Sequence, residues 1–305
     1  MTATRRFGSS GRENHDASGF YDRFDGLVQS NTKLSELPPP LELDGPMLRC
    51  ADARSMPSVP DSTVALVATS PPYYAGKDYE TDPASDGSPA TWPEYLELLA
   101  QVFAECRRVL EPGGRIAVNV ANLGRKPYRS LSGEVLGILE RLGFLIRGEH
   151  VWVKAEAQAG STAFGSWMSP ANPVMRDLTE RIVVASYSQF GRVGSAKVRR
   201  ETGRPWQATI TKEQFMAWTY DTWRIRPESA RRVGHPAPFP VDLPERLIRL
   251  HTYAGEVVLD PFCGAGSTGV AALRTGRGFI GYDINDGYLD RARERLAVES
   301  RPEVA

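Results

Sequence analysis

Residues 256–283 read Glu-Val-Val-Leu-Asp-Pro-Phe-Cys-Gly-Ala-Gly-Ser-Thr-Gly-Val-Ala-Ala-Leu-Arg-Thr-Gly-Arg-Gly-Phe-Ile-Gly-Tyr-Asp. The apolar start predicts a strand, the glycines a loop, the middle a helix, and Gly278 to Asp283 a second strand that ends on an acid. Gly264 and Gly266 would let backbone approach a ligand closely. Asp283, about 20 residues on, stands where a carboxylate at the end of the second strand can hold a ribose diol. The third glycine of a dinucleotide G-x-G-x-x-G is displaced, and Asp260-Pro261-Phe262 opens the loop. A ligand without phosphate, which needs room and a carboxylate more than a helix N-terminus, suits this departure.

Working outward, Val64-Ala-Leu-Val-Ala68 predicts another buried strand, followed at once by Ser70-Pro71-Pro72-Tyr73. Two prolines fix φ near −65° and supply carbonyls without competing N–H groups. The Ser70 hydroxyl, the Pro71 carbonyl and the Tyr73 ring can then form a rigid cluster for a flat, amine-bearing ring. By itself the tetrapeptide reads equally as a proline-rich turn closing a strand.

Together these segments resemble the β-class amino-methyltransferases of DNA, which carry a (Ser/Asp/Asn)-Pro-Pro-(Tyr/Phe) motif upstream of a D-P-F-x-G-x-G motif. Protein and ribosomal methyltransferases with a similar tetrapeptide show the reverse order. A third block, Gly234 to Pro240 leading into Leu243-Pro-Glu-Arg-Leu-Ile248, is similar to the segment before the cofactor strand. The resemblance spans residues 48–154 and 234–297. It implies S-adenosyl-L-methionine as cofactor, held by Asp260, Pro261, Phe262, Gly264, Gly266, Ser267, Thr268 and Asp283, with Asp52 a candidate for the adenine amine or a plain turn residue. It implies catalysis by Ser70, Pro71, Pro72 and Tyr73 on a base flipped out of duplex DNA. Tyr73 is expected to stack on that base, so phenylalanine there should keep much of the activity. Ser at the first motif position goes mostly with N4-cytosine and Asp with N6-adenine, so Ser70 points to the N4 amine of cytosine. N6-adenine methylation, a silent DNA-binding module and an RNA or protein amine methyltransferase are the alternatives. A cognate restriction endonuclease and a homodimer are further partners that such a resemblance suggests.

The implied fold is α/β, a doubly wound and mostly parallel sheet of the class I methyltransferase type in permuted motif order, with a DNA-recognition insertion. Helical spacing after Thr91-Trp-Pro-Glu94, a strand at 115–120, a helix near 131–142, a strand near 144–153 and a last helix from about 288 fit that alternation. The expected organisation is a flexible tail over 1–40, a methyltransferase domain over 41–305, and a target-recognition insertion over 155–232. The Gly165 to Pro173 stretch reads as a loop, a floor for the flipped base or a simple connection.

The chain has 305 residues and a formal net charge of zero, so any attraction to nucleic acid must come from the distribution of charge. Between Arg192 and Arg232 there are ten Lys/Arg against four acids, an excess of six, interleaved with Trp206, Phe215, Trp218, Tyr220 and Trp223. This reads as a solvated face or, lying between the two motif blocks, as a surface for double-stranded DNA. Arg199, Arg200, Arg204, Arg224 and Arg226 are its candidate phosphate contacts. No apolar run is long enough to span a membrane, and the N-terminus lacks an apolar signal region, so a cytoplasmic protein is expected. Cys50, Cys106 and Cys263 match no metal spacing and read as apolar fillers. None occupies the nucleophile loop that carbon-5 cytosine methylation requires.

Overall fold

A computed structural model describes residues 29–74, 89–123, 127–154, 165–175, 177–228 and 239–299. Eight strands form one sheet: β1 (Met47–Cys50), β2 (Val64–Thr69), β3 (Leu110–Val120), β4 (Phe144–Val153), β5 (Thr179–Tyr187), β6 (Thr222–Arg224), β7 (Val257–Asp260) and β8 (Gly278–Asp283). Their order across the sheet is β1-β8-β7-β2-β3-β5-β4-β6. The first five of these run parallel. β5 is antiparallel to both β3 and β4, and β6 is parallel to β4.

The parallel core follows from composition. All six residues of β2 are buried, as expected for a strand covered on both faces. One face is covered by α1 (Trp92–Val109) and α2 (Leu131–Arg141), whose Tyr95, Leu99, Phe103, Val135 and Ile138 meet Val67 and Ile116. The other is covered by α5 (Asp242–His251), α6 (Ser267–Arg274) and α7 (Asp286–Glu299), where Leu247, Val270, Leu289 and Leu296 meet Leu66 and Val258. Each such side chain contributes roughly 1.5–3 kcal/mol on full burial. Two short helices, α3 (Ala196–Glu201) and α4 (Lys212–Trp218), lie in the basic stretch. Thr91 caps α1 by accepting the Glu94 N–H, with Pro93 in the first turn.

Gly269, the displaced third glycine, serves packing: a Cβ there would lie 2.6 Å from the Phe279 ring and 2.8 Å from Leu296. Gly266 has φ +75° and a Cβ there would meet the Ala292 Cβ at 3.0 Å, so its missing side chain lets α7 pack close against the loop.

Two expectations of organisation change. Residues 29–40 do not behave as a free tail: Ser30 N–H donates to the Ser188 carbonyl at 2.8 Å, Leu34–Glu36 form a 3-10 turn, and Leu37 is buried. The earlier residues 1–28 lie outside the described residues. The stretch 155–232 is divided by β5, an inner strand paired on both edges, so it is not a separate inserted unit. Its residues 155–164, 176 and 229–232, and residues 234–238 of the third block, lie outside the described residues. No described helix is long and apolar enough to cross a membrane.

Candidate active site and nucleic-acid edge

β2 leads through α1 to β3 on one side, while β7 leads through α6 to β8 on the other. The crevice at the C-terminal ends of β2 and β7 is thus the point where the crossovers part, the place where open α/β sheets bind ligands. Asp260, 0% exposed, closes its floor. Its Oδ1 accepts from the Thr69 hydroxyl at 2.6 Å and from the Phe262 N–H at 3.1 Å; its Oδ2 accepts from the Thr268 hydroxyl at 2.7 Å. Burial pushes this carboxyl up to about 6, against the lowering effect of those three hydrogen bonds. Asp260 and Thr268, expected at the cofactor, therefore face inward and tie the two motifs together. Ser267 is also buried and takes a 3.3 Å bond from Arg295.

Asp283 ends the adjacent strand. Its Oδ2 accepts from the Gly264 N–H at 2.7 Å and its Oδ1 from the Asn285 N–H at 2.9 Å, so the acid shapes the glycine loop as well as facing the crevice. Burial pushes the Asp283 carboxyl up, partly offset by these backbone donors. Gly264 has φ +50°, a conformation that favours glycine. One strand further, Cys50 lies opposite Asp283 in register, and Asp52 follows it on the same rim. Asp52 is exposed and bonded to Arg54 through Oδ2 at 2.5 Å; burial raises its pKa, but the interactions with Arg54 outweigh it and the net direction is down. A carboxylate with spare lone pairs beside a left-handed glycine, with the half-buried Phe262 two residues before that glycine, suits a nucleoside without phosphate. Of the expected cofactor residues, Phe262, Gly264 and Asp283 follow or end β7 and β8 at their C-terminal rim, and Asp52 follows β1 on the same rim.

Across the crevice stands the Ser-Pro-Pro-Tyr corner. The Tyr95 hydroxyl donates to the Pro72 carbonyl from below, and Tyr74, at φ +57°, donates to the Ala90 carbonyl at 2.8 Å while stacking on Tyr95 at 5.2 Å. A left-handed tyrosine costs on the order of 1–3 kcal/mol and persists only where neighbours fix it. Ser70 Oγ lies 2.9 Å from Tyr73 Oη, and Tyr73 Oη donates to Glu180 Oε2 at 2.8 Å. Asn119 Nδ2 donates to Glu180 Oε2 at 2.5 Å and to Tyr73 Oη at 2.9 Å. Lys154 pairs with Glu180 Oε1. The sequence reading missed Asn119, Glu180, Lys154 and Tyr74. A signal was present for two of them: Asn119 interrupts the apolar run Ile116–Val120, and Glu180 stands shortly ahead of the apolar run Ile182–Ala185.

The DNA methylase family N6_N4_Mtase matches residues 64–294, a span that takes in both motifs and the sheet between them. The chain belongs to this family. M.MjaI of Methanocaldococcus jannaschii, a type II methyltransferase, is 27% identical over 286 residues, which cover 82% of this chain and 90% of the relative. YhdJ of Escherichia coli, a DNA adenine methyltransferase, is 27% identical over 251 residues, 79% of each chain. TTHA0409 of Thermus thermophilus, solved in complex with S-adenosyl-L-methionine, is similar at a TM-score of 0.64 and 28% identity, over 83% of this chain and 94% of that one. PvuII DNA methyltransferase, cytosine-N4-specific, shares the fold at a TM-score of 0.59 and 20% identity, over 85% and 87%. The fold is that of the class I methyltransferases.

For a DNA methylase the basic stretch matters, and the sheet divides it in two. Arg199, 1% exposed, pairs through Nη2 with Glu256 Oε1 at 2.5 Å and donates through Nε to the Pro205 carbonyl at 2.7 Å. Arg192 pairs with the same Glu256 and with Glu111. Arg204 donates to the Leu37 and Pro38 carbonyls at 2.9 and 2.5 Å. Glu111 and Glu256 stand at the N-terminal ends of β3 and β7, the edge opposite the crevice, roughly 13 Å away along the four-residue β7. Arg199 and Arg204 are thus structural, a correction to the expected phosphate contacts, and Arg200 stacks on Trp206 at 5.2 Å on the same helix as Arg199. Trp223, expected on the nucleic-acid surface, is 1% exposed and bonded through its indole to the Trp218 carbonyl.

Arg224 and Arg226 are different. Arg224 pairs in register with Val153, and Val153 with Thr179, the residue before Glu180. Both arginines are exposed and leave β6 at the same edge as Ser70, Asn119 and Lys154. The loop at 165–175 joins β4 to β5 at this edge too, presenting Trp167 at 67% and Met168 at 89% exposure; its Ser166 and Ser169 hydroxyls bond within the loop.

Proposed function

We propose that this DNA methylase transfers a methyl group to the exocyclic N4 amine of a cytosine flipped out of duplex DNA. The observation that carries the reading is Ser70, a neutral hydroxyl at the mouth of the crevice held 2.9 Å from Tyr73 Oη. A hydroxyl there can meet a cytosine edge without burying a second charge beside Glu180. S-adenosyl-L-methionine supplies an electrophilic sulfonium methyl group. Gly264 and Asp283 would hold it, with Phe262 and Asp52 bordering, and the Ser-Pro-Pro-Tyr corner would hold the base opposite. Alignment of two bound reactants supplies much of the rate. Flipping is required because the paired amine cannot be reached inside the duplex. Arg224 and Arg226 would position the phosphates on the crevice edge. A restriction partner belongs to the same reading, since M.MjaI is a type II methyltransferase, and a homodimer is carried only by the family resemblance.

The test is to methylate duplex DNA with the purified protein, digest it to nucleosides and identify the modified base by mass spectrometry. N4-methylcytosine is the expected product. N6-methyladenine as sole product would overturn the cytosine assignment and leave methyl transfer in place.

A further inference from the structure

Proton donors and acceptors in the cluster around Tyr73 have a fixed direction. Lys154 and the Asn119 amide nitrogen only donate, and Glu180, 6% exposed, receives both. The Tyr73 hydroxyl spends its one proton on Glu180 Oε2 and accepts from Asn119 Nδ2. Ser70 Oγ then stands to Tyr73 Oη as donor, so the Ser70 proton points to Tyr73. Asn119 Nδ2 reaches Ser70 Oγ only at 3.4 Å, which leaves a Ser70 lone pair for a donor in the crevice.

From this order we infer that Ser70, Tyr73 and Glu180 form a relay that removes the surplus proton of the target amine, with Glu180 as its terminus. The inference rests on the reading of Ser70 as the residue that meets the amine. Transfer makes a nitrogen–carbon bond as the methyl–sulfur bond breaks, leaving the nitrogen cationic with one hydrogen too many. That proton passes to Ser70 Oγ, the Ser70 proton to Tyr73 Oη, and the Tyr73 proton to Glu180 Oε2, which ends neutral. Ser70 is the catalytic residue. Tyr73 and Glu180 act through it as positioning residues, and Asn119 and Lys154 hold the carboxylate in place. Stacking alone would leave Tyr73→Phe active, whereas the relay would not.

Single-turnover methylation of duplex DNA, run in H2O and D2O, tests this on wild type, Ser70→Ala, Tyr73→Phe and Glu180→Gln, with S-adenosyl-L-methionine affinity measured by calorimetry in each. Tyr73→Phe and Glu180→Gln are each expected to lower the rate by roughly tenfold or more with cofactor affinity kept. Wild type should be slower in D2O, and that difference should vanish in both variants, a change that a merely structural role would not produce. A wild-type rate in Tyr73→Phe, an unaltered solvent effect, or a rate loss matched by lost cofactor affinity overturns the relay. Should Glu180→Gln fail to fold, Tyr73→Phe decides alone, since it removes one oxygen and leaves Glu180, Asn119 and Lys154 paired. A full rate in Ser70→Ala, by contrast, overturns the reading of the site itself.

Discussion

The Thr69 hydroxyl donates to Asp260 Oδ1 across 2.6 Å, joining two motifs that lie 191 residues apart in the chain. Both groups are buried, so the bond fixes the width of the crevice between catalytic strand and glycine loop. Thr69→Val should keep the shape, leave Asp260 short of one donor and destabilise the fold by about 1–3 kcal/mol. Thr69→Ser should recover most of that loss in urea unfolding.

Asp260 also predicts a pH dependence. Its folded pKa of about 6 lies above the carboxylate's ordinary value of 3.8, because burial disfavours the charged form. The contribution is therefore fully present below pH 3.8 and is lost as pH rises through about 6. Relative to wild type, Asp260→Asn should be least favoured at about pH 4 and gain on it up to about pH 7; thermal unfolding across that range, showing parallel curves, would contradict the assignment.

Asp283→Ala removes the acceptor for the Gly264 and Asn285 N–H groups along with the expected ribose contact. S-adenosyl-L-methionine affinity should fall by roughly 1–3 kcal/mol. Calorimetry on the folded variant checks it, and unchanged affinity would remove Asp283 from the cofactor site.

Ser70→Ala should lower the transfer rate roughly tenfold or more, the order expected for a hydrogen bond that strengthens in the transition state. Cofactor affinity should barely change, because Ser70 stands on the opposite wall of the crevice.

The arginines should separate into two classes. Arg199→Ala leaves Glu256 buried with one partner fewer and should cost about 3–5 kcal/mol of stability. Arg224→Ala with Arg226→Ala should leave stability nearly unchanged while weakening duplex binding and reducing the salt slope by up to about two units if each touches a phosphate. Salt titration of DNA binding distinguishes them: an unchanged slope would make Arg224 and Arg226 ordinary surface residues.

Local chemistry in the sequence determined a large part of this protein. The apolar run of β2 can only be an inner strand, Pro71 and Pro72 force a corner after it, and the glycine loop followed by Asp283 makes a strand–loop–helix–strand unit. Such features depend on neighbours a few residues away, so they are legible in the chain. Cys106 and Cys263 are buried as expected of apolar fillers, whereas Cys50 is exposed. Composition does not separate these cases.

Tertiary structure alone decided the rest. β5 enters the sheet antiparallel beside β3, which brings its first residues against the last residues of β3 and so places Glu180 and Asn119 at Tyr73. No spacing in the sequence encodes that meeting, since register between strands is set by which faces bury together. The basic stretch shows the same limit. Whether an arginine meets a phosphate or a carboxylate depends on where its partner lies, and for Arg199 that partner is Glu256, 57 residues away and buried with it. A charge taken out of water must be paired, and only the folded chain settles which charges are taken out.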